Sequence, residues 1–332
     1  MKIVFFDMHS FEKAAFLEAN KGFNLDLEFL EAHLHPKTAI LARGAEAVCA
    51  FVNDKIDDEC ILILKDLGVR HIALRSAGFN NVDIVSAKRN GIVVSRVPGY
   101  SPYAVAEFAT GLLLTLNRKI HRAYSRVREL NFSLDGLVGF DLHGKTVGVL
   151  GAGRIGKIFS LIMASYGCKV LVCDPKKDSE LELHPGISYV DHASLCRESD
   201  IISLHVPLTP ETYHIIDSKM IATMKNGVFI INTGRGSLID TKALIEGLKK
   251  EKIGGAALDV YEEEENIFFQ DLSGKILQDD ILARLLTFPN VVVTSHQAFL
   301  TKEALQNIAN STLRSIYEFK ENGTLSKEET VC

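Results

Sequence analysis

Short apolar stretches alternate with amphipathic stretches along the whole chain. Ten apolar runs rich in β-branched residues predict strands, at residues 3–6, 47–52, 71–74, 92–94, 146–150, 170–173, 201–204, 228–232, 256–259 and 291–294. Between most of them, apolar side chains recur at the helical period. Strands that are apolar at nearly every position are typical of parallel sheets covered on both faces. The alternation therefore predicts the α/β fold class.

The longest helical pattern runs from residue 102 to about residue 129 and divides the strands into two groups. Pro102 stands where the first turn of a helix tolerates proline. A single helix of about 27 residues is about 40 Å long, enough to pass from one domain to another. The 332 residues also suit about two domains of ordinary size. We therefore expect two domains, and a last helix at about residues 302–320 that packs back on the first.

The composition and the charge of the chain exclude several classes of protein. Hydrophobic residues make up 47% and charged residues 24% of the chain, which excludes a disordered or collagen-like protein. The formal charge of −5 offers no wide basic surface for nucleic acid or anionic lipid. No apolar run approaches the roughly 20 residues that span a bilayer, and the run at residues 3–6 is too short for a signal peptide. We expect a cytoplasmic protein without nucleic-acid or membrane partners.

The six cysteines show no paired spacing such as C-x-x-C, and several lie inside apolar runs. They are Cys49, Cys60, Cys168, Cys173, Cys196 and Cys332. We expect buried thiols in a reducing compartment, and neither disulfides nor a metal site.

A glycine-rich turn follows the run at residues 146–150 and leads into a helical pattern. Its sequence is Gly151-Ala152-Gly153-Arg154-Ile155-Gly156. Gly151 permits the tight turn, Gly153 lets the backbone approach a pyrophosphate, and Gly156 lets the helix pack closely on the strand. The helix N-terminus adds free N–H groups and the positive end of the helix dipole. The strand before and the helix after the turn predict a dinucleotide site.

Asp174 follows the next predicted strand, at the place where such folds bind ribose. A carboxylate there accepts hydrogen bonds from the ribose hydroxyls and repels a 2′-phosphate, so the pattern favours NAD over NADP. Because Lys176 and Lys177 lie nearby in the sequence, NADP is an alternative cofactor. A second alternative is a glycine turn that binds no ligand. We predict NAD as the cofactor.

Arg235 lies between Gly234 and Gly236, directly after the predicted strand at residues 228–232. Ligands bind at the carboxyl ends of the strands in open parallel sheets. A guanidinium there can donate two parallel hydrogen bonds to a carboxylate. Most arginines are surface residues, but this position makes Arg235 a candidate carboxylate clamp.

His296 follows the predicted strand at residues 291–294 and reaches the same edge. Reduction of a ketone needs a proton as well as a hydride, and an imidazole can supply that proton near neutral pH. Most single histidines have no catalytic role, and His205 is the nearest rival. A carboxylate partner is expected in the acidic run at residues 262–265, where spacing does not choose among the four glutamates.

Four segments together resemble the D-isomer-specific 2-hydroxyacid dehydrogenases, and the resemblance covers essentially the whole chain. They are GAGRIG at residues 151–156, NTGRG at 232–236, DVYEEE at 259–264 and SHQAF at 295–299. Residues 74–83, 115–124 and 296–301 resemble, more narrowly, the bacterial fermentative D-lactate dehydrogenases within that family. We therefore expect two Rossmann-like or flavodoxin-like parallel-sheet domains with an active-site cleft between them. Residues 1–99 and 300–332 would form the substrate-binding domain, and residues 100–299 the NAD-binding Rossmann domain.

The resemblance implies a role for each matching position. Arg235 would bind the substrate carboxylate and polarise the keto group, and His296 would be the acid/base. Glu264, five residues after Asp259 as in the family pattern, would pair with His296. Further substrate contacts would come from Ala77, Gly78, Tyr100 and Phe299. The cofactor would be lined by Gly151, Gly153, Arg154, Ile155, Gly156, Asp174, Val206, Pro207, Thr233, Gly234, Arg235 and Asp259.

The resemblance also implies the reaction, the reversible reduction of pyruvate to D-lactate by NADH, and only the resemblance gives the handedness. One alternative is a related enzyme for a bulkier 2-keto acid. Another, from a different class, is an NADH-sensing, corepressor-like binding module without turnover. Relatives are dimers or tetramers, so we expect a homo-oligomer, with the helix that begins at Pro102 as a candidate for its interface.

Overall fold

The computed structural model describes residues 1–265 and 267–332. The chain divides into two compact units, Met1–Ser101 with Leu300–Cys332, and Pro102–Phe299. Each unit contains one sheet whose strands pair in parallel and are joined largely by helices. The α/β fold class predicted from the apolar runs is confirmed, with two parallel-sheet units.

The strands in chain order are β1 (Lys2–Phe5), β2 (Asp26–Phe29), β3 (Ala47–Ala50), β4 (His71–Leu74), β5 (Val93–Ser95), β6 (Thr146–Leu150), β7 (Lys169–Cys173), β8 (Ile187–Tyr189), β9 (Ile201–Leu204), β10 (Val228–Asn232), β11 (Ile253–Leu258) and β12 (Val291–Val293). The α-helices are α1 (Ser10–Asn20), α2 (Asp58–Asp66), α3 (Ile84–Arg89), α4 (Pro102–Arg118), α5 (Ile120–Arg128), α6 (Arg154–Ser165), α7 (Ser179–Leu183), α8 (His192–Glu198), α9 (Ser218–Thr223), α10 (Thr241–Lys249), α11 (Asp280–Leu286) and α12 (Lys302–Asn322).

The first unit has the sheet order β2-β1-β3-β4-β5. The C-terminal helix α12 belongs to this unit and packs against α1 and β4. The apolar runs did not predict β2, because this edge strand has the sequence DLEF and none of its residues is fully buried. Strand β8 at the edge of the other sheet was missed for a similar reason, since only Ile187 of its three residues is buried.

The second unit has the sheet order β12-β11-β10-β9-β6-β7-β8. Successive residues of its central strands point to opposite faces, so Ile230 and Ile231 enter two different buried clusters. The chain order reverses where β6 lies between β9 and β7. In open α/β sheets this switch point forms the crevice in which ligands bind.

The single long helix predicted for residues 102–129 is wrong. Lys119 adopts a left-handed conformation with φ of +50°, which ends α4 and starts α5 in a new direction. Helix α4 is largely buried, whereas α5 contains no buried residue. The apolar spacing continues through the break, so the sequence pattern alone gave no sign of the interruption.

All six cysteines are free thiols, and four of them are buried. Among the described residues, no helix combines the length and the apolar character that crossing a bilayer requires.

Candidate active site

The glycine turn after β6 has a backbone that only glycine accommodates. Gly151 has φ of +93°, and a Cβ on it would lie 2.7 Å from the carbonyl carbon of His205. A Cβ on Gly156 would overlap the carbonyl oxygen of Gly151. The turn therefore packs directly against the strand and against the segment that follows β9.

The N-terminus of α6 is open to an anion. No side chain caps it, whereas an aspartate caps each of the helices α7, α8, α9, α10 and α11. No described atom lies within 4 Å of the place where a Cβ on Gly153, the residue before the helix, would stand. The first-turn N–H groups, including those of Arg154 and Ile155, thus fit a pyrophosphate.

Asp174 lies at the end of β7 beside the glycine turn. Its Oδ2 accepts the N–H of Ala152 at 2.7 Å, and its Oδ1 accepts the N–H of Lys176 at 2.7 Å. Each carboxylate oxygen retains a lone pair for a ribose hydroxyl. Lys177, one of the two lysines that left NADP open, is exposed and forms an ion pair with Glu182 at 2.9 Å.

Thr233, directly after β10, carries a buried hydroxyl without a protein partner. The residue is 8% exposed, and its Oγ1 has no hydrogen bond with any described residue. A buried polar atom without a partner costs about 1–3 kcal/mol, so such atoms are typical of places where a ligand supplies the partner. Val206 and Pro207, after β9, are half-buried and exposed, and they offer apolar surface. This set fits a dinucleotide.

His205 is the other histidine considered as the proton donor, and its contacts are structural. Its Nε2 lies 2.9 Å from Oγ of Ser203, and its ring packs against Phe159. Burial lowers the pKa of His205 to about 4. The imidazole is therefore neutral near pH 7 and cannot supply a proton to a substrate.

Arg235 lies in a turn that the side chain of Asn232 stabilises through two hydrogen bonds. The Asn232 side chain accepts the N–H of Gly234 at 3.0 Å and donates to the carbonyl of Arg235 at 2.8 Å. Nη1 of Arg235 donates to the carbonyl of Gly234 at 2.8 Å. Within the described residues Arg235 has no carboxylate partner in the protein, so most of its donors are available to a substrate carboxylate.

The turn with Arg235 packs directly on the loop that follows β11. A Cβ on Gly236 would overlap the backbone of Tyr261. Strands β10, β11 and β12 are neighbours and run in parallel, so the loops at their carboxyl ends meet at one edge of the sheet. Tyr261 is fixed in turn by a 2.8 Å hydrogen bond from its hydroxyl to Asp279.

His296 is paired with one of the four glutamates left open by the sequence. Oε1 of Glu264 lies 2.7 Å from Nδ1 of His296, and Oε2 accepts the N–H of Tyr261 at 2.9 Å. Glu262 instead contacts His214 at 2.5 Å. The other two glutamates of the run, at positions 263 and 265, are exposed. The pairing leaves Nε2 of His296 to exchange a proton.

Asp259 organises the loop that carries His296. Its carboxylate is fully buried and accepts hydrogen bonds from Oγ1 of Thr294 at 2.6 Å, from the N–H of Gln297 at 2.9 Å and from the N–H of Ala298 at 2.8 Å. Burial raises the pKa of Asp259, and these donors oppose the rise. His296 lies within the segment that these hydrogen bonds hold, and its backbone is left-handed, with φ of +54°. From the sequence, Asp259 was predicted only as a cofactor contact. Its position directly after β11 was the feature that could have indicated its role in holding the His296 loop.

The residues that the family pattern assigned to substrate lie partly in the first unit. The loop after β4 is fixed because Arg96 donates to the carbonyl of Ala77 at 3.1 Å and Ser76 donates to the carbonyl of Gly78 at 2.8 Å. Tyr100 accepts a bond from Asn307 at its carbonyl, at 2.7 Å. Phe299 is the last residue of the second unit and is half-buried. Their contacts with substrate stay a prediction.

The second unit thus combines a glycine turn that fits a dinucleotide, an arginine without a carboxylate partner among the described residues, and a histidine–glutamate pair at one sheet edge. This combination is typical of nicotinamide-dependent oxidoreductases. A sequence model described as "D-isomer specific 2-hydroxyacid dehydrogenase, NAD binding domain" matches residues 110–298. The chain belongs to the D-isomer-specific 2-hydroxyacid dehydrogenase family, and its cofactor is NAD.

Relatives and solved structures agree with this assignment. The chain is 51% identical to "2-hydroxyacid dehydrogenase homolog 1" of Schizosaccharomyces pombe over 96% of both chains. It is 48% identical to the D-lactate dehydrogenase of Escherichia coli over 99% of both chains. The apo structure of D-lactate dehydrogenase from Escherichia coli matches with a TM-score of 0.90 and 46% identity over all of both chains.

Proposed function

We propose that this protein is an NAD-dependent D-lactate dehydrogenase that reduces pyruvate to D-lactate reversibly. The observation that carries the proposal is the 2.7 Å pairing of Glu264 with His296, in the loop next to the turn of Arg235. The similarity to the D-lactate dehydrogenase of Escherichia coli over 99% of both chains supports lactate rather than another 2-hydroxy acid.

In the proposed reaction, Arg235 binds the carboxylate of pyruvate through its planar fork and stabilises the negative charge that develops on the keto oxygen. Nε2 of His296 donates a proton to that oxygen. Glu264 accepts the Nδ1–H of His296, which fixes the tautomer and stabilises the charge on the ring. NADH, when bound, supplies the hydride that adds to C2. The keto oxygen thus becomes the C2 hydroxyl group of lactate, and His296 recovers its proton from water.

The remaining residues hold cofactor and substrate in this proposal. The cofactor contacts come from the glycine turn after β6 and from the ends of the neighbouring strands. They are Gly151, Gly153, Arg154, Ile155, Gly156, Asp174, Val206, Pro207, Thr233, Gly234, Arg235 and Asp259. The substrate contacts are Arg235, His296, Ala77, Gly78, Tyr100 and Phe299.

The test is a panel of 2-keto acids with NADH and with NADPH, followed by chiral analysis of the product. We expect pyruvate to give the highest kcat/KM, NADH to be preferred, and D-lactate to be the product. Higher kcat/KM with phenylpyruvate or 2-ketoisocaproate would support the bulkier-substrate alternative, which the general name of the Schizosaccharomyces pombe relative leaves open. Binding of NADH without turnover of any keto acid would support the sensor alternative.

We further propose a homo-oligomer that forms through α5 and the segment after it. Helix α5 is amphipathic without a buried residue, and a run of large apolar side chains is exposed on it and beyond it. They are Ile120, Tyr124, Val127, Leu130, Phe132, Leu134 and Val138. Monomeric proteins seldom expose apolar side chains in such numbers together, and a second copy offers the same apolar surface in return.

Light scattering after gel filtration tests the oligomer. We expect a dimer or tetramer for the natural chain and a shift to monomer for Val127→Asp. The matched control is Val85→Asp, at an equally apolar and 77% exposed position in the first unit. A natural chain that runs as a monomer, or equal behaviour of the two variants, would contradict the proposed interface.

A further inference from the structure

A group of charged side chains lies at the carboxyl edge of the first unit's sheet, outside the residues assigned to the reaction. Asp7 follows β1, His33 follows β2 and Asp54 follows β3. Asp7 is 2% exposed and Asp54 is 1% exposed, whereas the His33 side chain is 33% exposed. Because β1, β2 and β3 are parallel neighbours, the three loops meet at the same edge.

Among the described residues, neither carboxylate of this group forms an ion pair with a lysine or an arginine. Arg75 is buried and binds both oxygens of Glu12, at 2.9 Å and 3.0 Å, so these two charges cancel. Nη2 of Arg75 also donates to the backbone carbonyl of Asp7 at 2.5 Å. The ionisable groups that lie beside the Asp7 carboxylate are the imidazoles of His9 and His33, and His33 also lies beside Asp54. Buried carboxylates are costly unless a cation or a proton compensates them.

Two of the polar atoms in the group have no hydrogen bond. Oδ2 of Asp7 and Nδ1 of His33 are both buried, and neither forms a hydrogen bond with a described residue. The two atoms lie 3.3 Å apart, in an orientation unsuited to hydrogen bonding. Nδ1 of His33 is 3.9 Å from Oδ1 of Asp54, and all three atoms lie within 4.8 Å of one another. Two ligands of a tetrahedral zinc ion lie about 3.4 Å apart. The separation of Asp7 and His33 already matches this value, and the separations that involve Asp54 must shorten by up to about 1.4 Å when the ion binds.

The Asp54 carboxylate is already oriented by its neighbours, as metal ligands usually are. Asp54 accepts the N–H of Leu34 through Oδ1 and the N–H of Phe51 through Oδ2, each at 2.6 Å. Oδ1 of Asp7 lies 3.1 Å from Nε2 of His9. The other oxygen, Oδ2 of Asp7, is the one that lies next to His33.

We propose that Asp7, His33 and Asp54 bind one divalent transition-metal ion through two carboxylate oxygens and one imidazole nitrogen, with water completing the coordination. One nitrogen and two oxygen ligands suit Mn²⁺ and Zn²⁺. The ion supplies positive charge beside the two carboxylates and joins the loops after β1, β2 and β3. It therefore stabilises the first unit and takes no part in hydride transfer.

Mn²⁺ is the first probe, because the six free thiols bind it poorly and so do not obscure the result. Full-length protein freed of metal by a chelator is titrated with Mn²⁺ at about pH 8, where imidazole is deprotonated. Calorimetry and the electron paramagnetic resonance signal of free Mn²⁺ report the binding. We expect one saturable site per chain and a higher Tm for the first unit when Mn²⁺ is bound.

The variants are His33→Gln and Asp7→Asn, and both should weaken Mn²⁺ binding at least about tenfold and abolish the shift in Tm. Asparagine tolerates the left-handed backbone of Asp7, where φ is +48°, and His33 is a third exposed, so both variants should fold; circular dichroism checks this. His35→Gln is the matched control, since His35 lies outside the group and should leave binding unchanged.

Two results would contradict the proposed metal site. One is the lack of saturable Mn²⁺ or Zn²⁺ binding up to about 1 mM. The other is a saturable site with the same affinity in the natural chain and in both variants. Neither result bears on the proposed reaction, because none of the three ligands is assigned to it.

Discussion

Oε1 of Glu264 lies 2.7 Å from Nδ1 of His296, while Oε2 of the same carboxylate accepts the backbone N–H of Tyr261. The glutamate therefore holds the imidazole and is itself held by the loop after β11. A histidine whose Nδ1 is fixed in this way presents Nε2 in a defined direction. The two side chains should act as one unit in proton transfer.

His296→Ala should lower kcat by about 10²- to 10⁴-fold, the usual contribution of a positioned acid, with NADH affinity nearly unchanged. Glu264→Gln should lower kcat less, by about 10-fold, because an amide still accepts the Nδ1–H but carries no charge. The double variant should be no slower than His296→Ala alone. Steady-state kinetics and NADH fluorescence titration measure these effects.

Glu263→Gln is the control, because Glu263 belongs to the same acidic run but is exposed. It should leave kcat unchanged. Equal losses in Glu263→Gln and Glu264→Gln, or additive losses in the double variant, would contradict the paired role.

Arg235→Lys should lower kcat/KM for pyruvate by about 10- to 100-fold, mainly through a higher KM, because an ammonium group cannot donate the two parallel hydrogen bonds of a guanidinium. NADH affinity should change little. Arg70→Lys, at an exposed position of the first unit, should behave as the natural chain. A large loss of NADH binding in Arg235→Lys, with an unchanged KM for pyruvate, would mean that Arg235 contacts the cofactor and does not bind the substrate carboxylate.

Thr233→Val tests whether the partnerless hydroxyl serves the cofactor. Without cofactor the variant should be more stable by about 1–3 kcal/mol, because a buried polar atom without a hydrogen bond is removed. With NADH it should bind more weakly. Differential scanning calorimetry and NADH titration give the two quantities.

Thr312→Val provides a matched comparison for Thr233→Val, since Oγ1 of Thr312 is likewise buried without a hydrogen bond but lies in α12 of the first unit. It should gain stability and keep the NADH affinity of the natural chain. Weaker NADH binding in both variants would show that the effect is not local to Thr233.

Asp174→Ser should weaken NADH binding by about 10- to 100-fold, since hydrogen bonds to a charged acceptor contribute about 1.5–3 kcal/mol. NADPH binding should suffer less, because the repulsion of the 2′-phosphate is lost at the same time. The ratio of the two dissociation constants is the quantity to measure. Glu246→Gln removes an exposed carboxylate from α10 and should leave the ratio unchanged.

His71 should make the first unit sensitive to acid. Its ring is fully buried with Nε2 2.7 Å from Oγ of Ser95, and burial lowers its pKa to about 3. The pKa is about 6.5 in the unfolded chain, so the unfolded state binds the proton first. The free energy of unfolding then falls by about 1.4 kcal/mol per pH unit as the pH drops from 6.5 toward 3.

In His71→Gln this part of the pH dependence should disappear, which urea unfolding at several pH values between about 7 and 4 can measure. His184→Gln, in the second unit, is the control and should keep the full slope for the first unit. An unchanged slope in His71→Gln would mean that another buried group takes up the proton.

Local patterns were sufficient for the buried strands and for the glycine turn. Strands such as β9 and β10 are apolar because both faces are covered, and Gly151 is a glycine because its φ of +93° excludes other residues. These constraints act on neighbouring residues, so the linear chain records them. The edge strands β2 and β8 were not predicted, because a strand at the edge of a sheet has an open side and needs fewer apolar residues.

The pairings between distant segments were settled only when the chain folded. The sequence does not distinguish the four consecutive glutamates. In the folded chain Glu264 contacts His296, and the backbone N–H of Tyr261 holds its other carboxylate oxygen. The break at Lys119 and the meeting of Asp7, His33 and Asp54 were likewise invisible in the pattern. Hydrophobic periodicity reports which side of an element is buried, whereas contacts between residues far apart in the chain depend on strand order and loop geometry, which no local pattern contains.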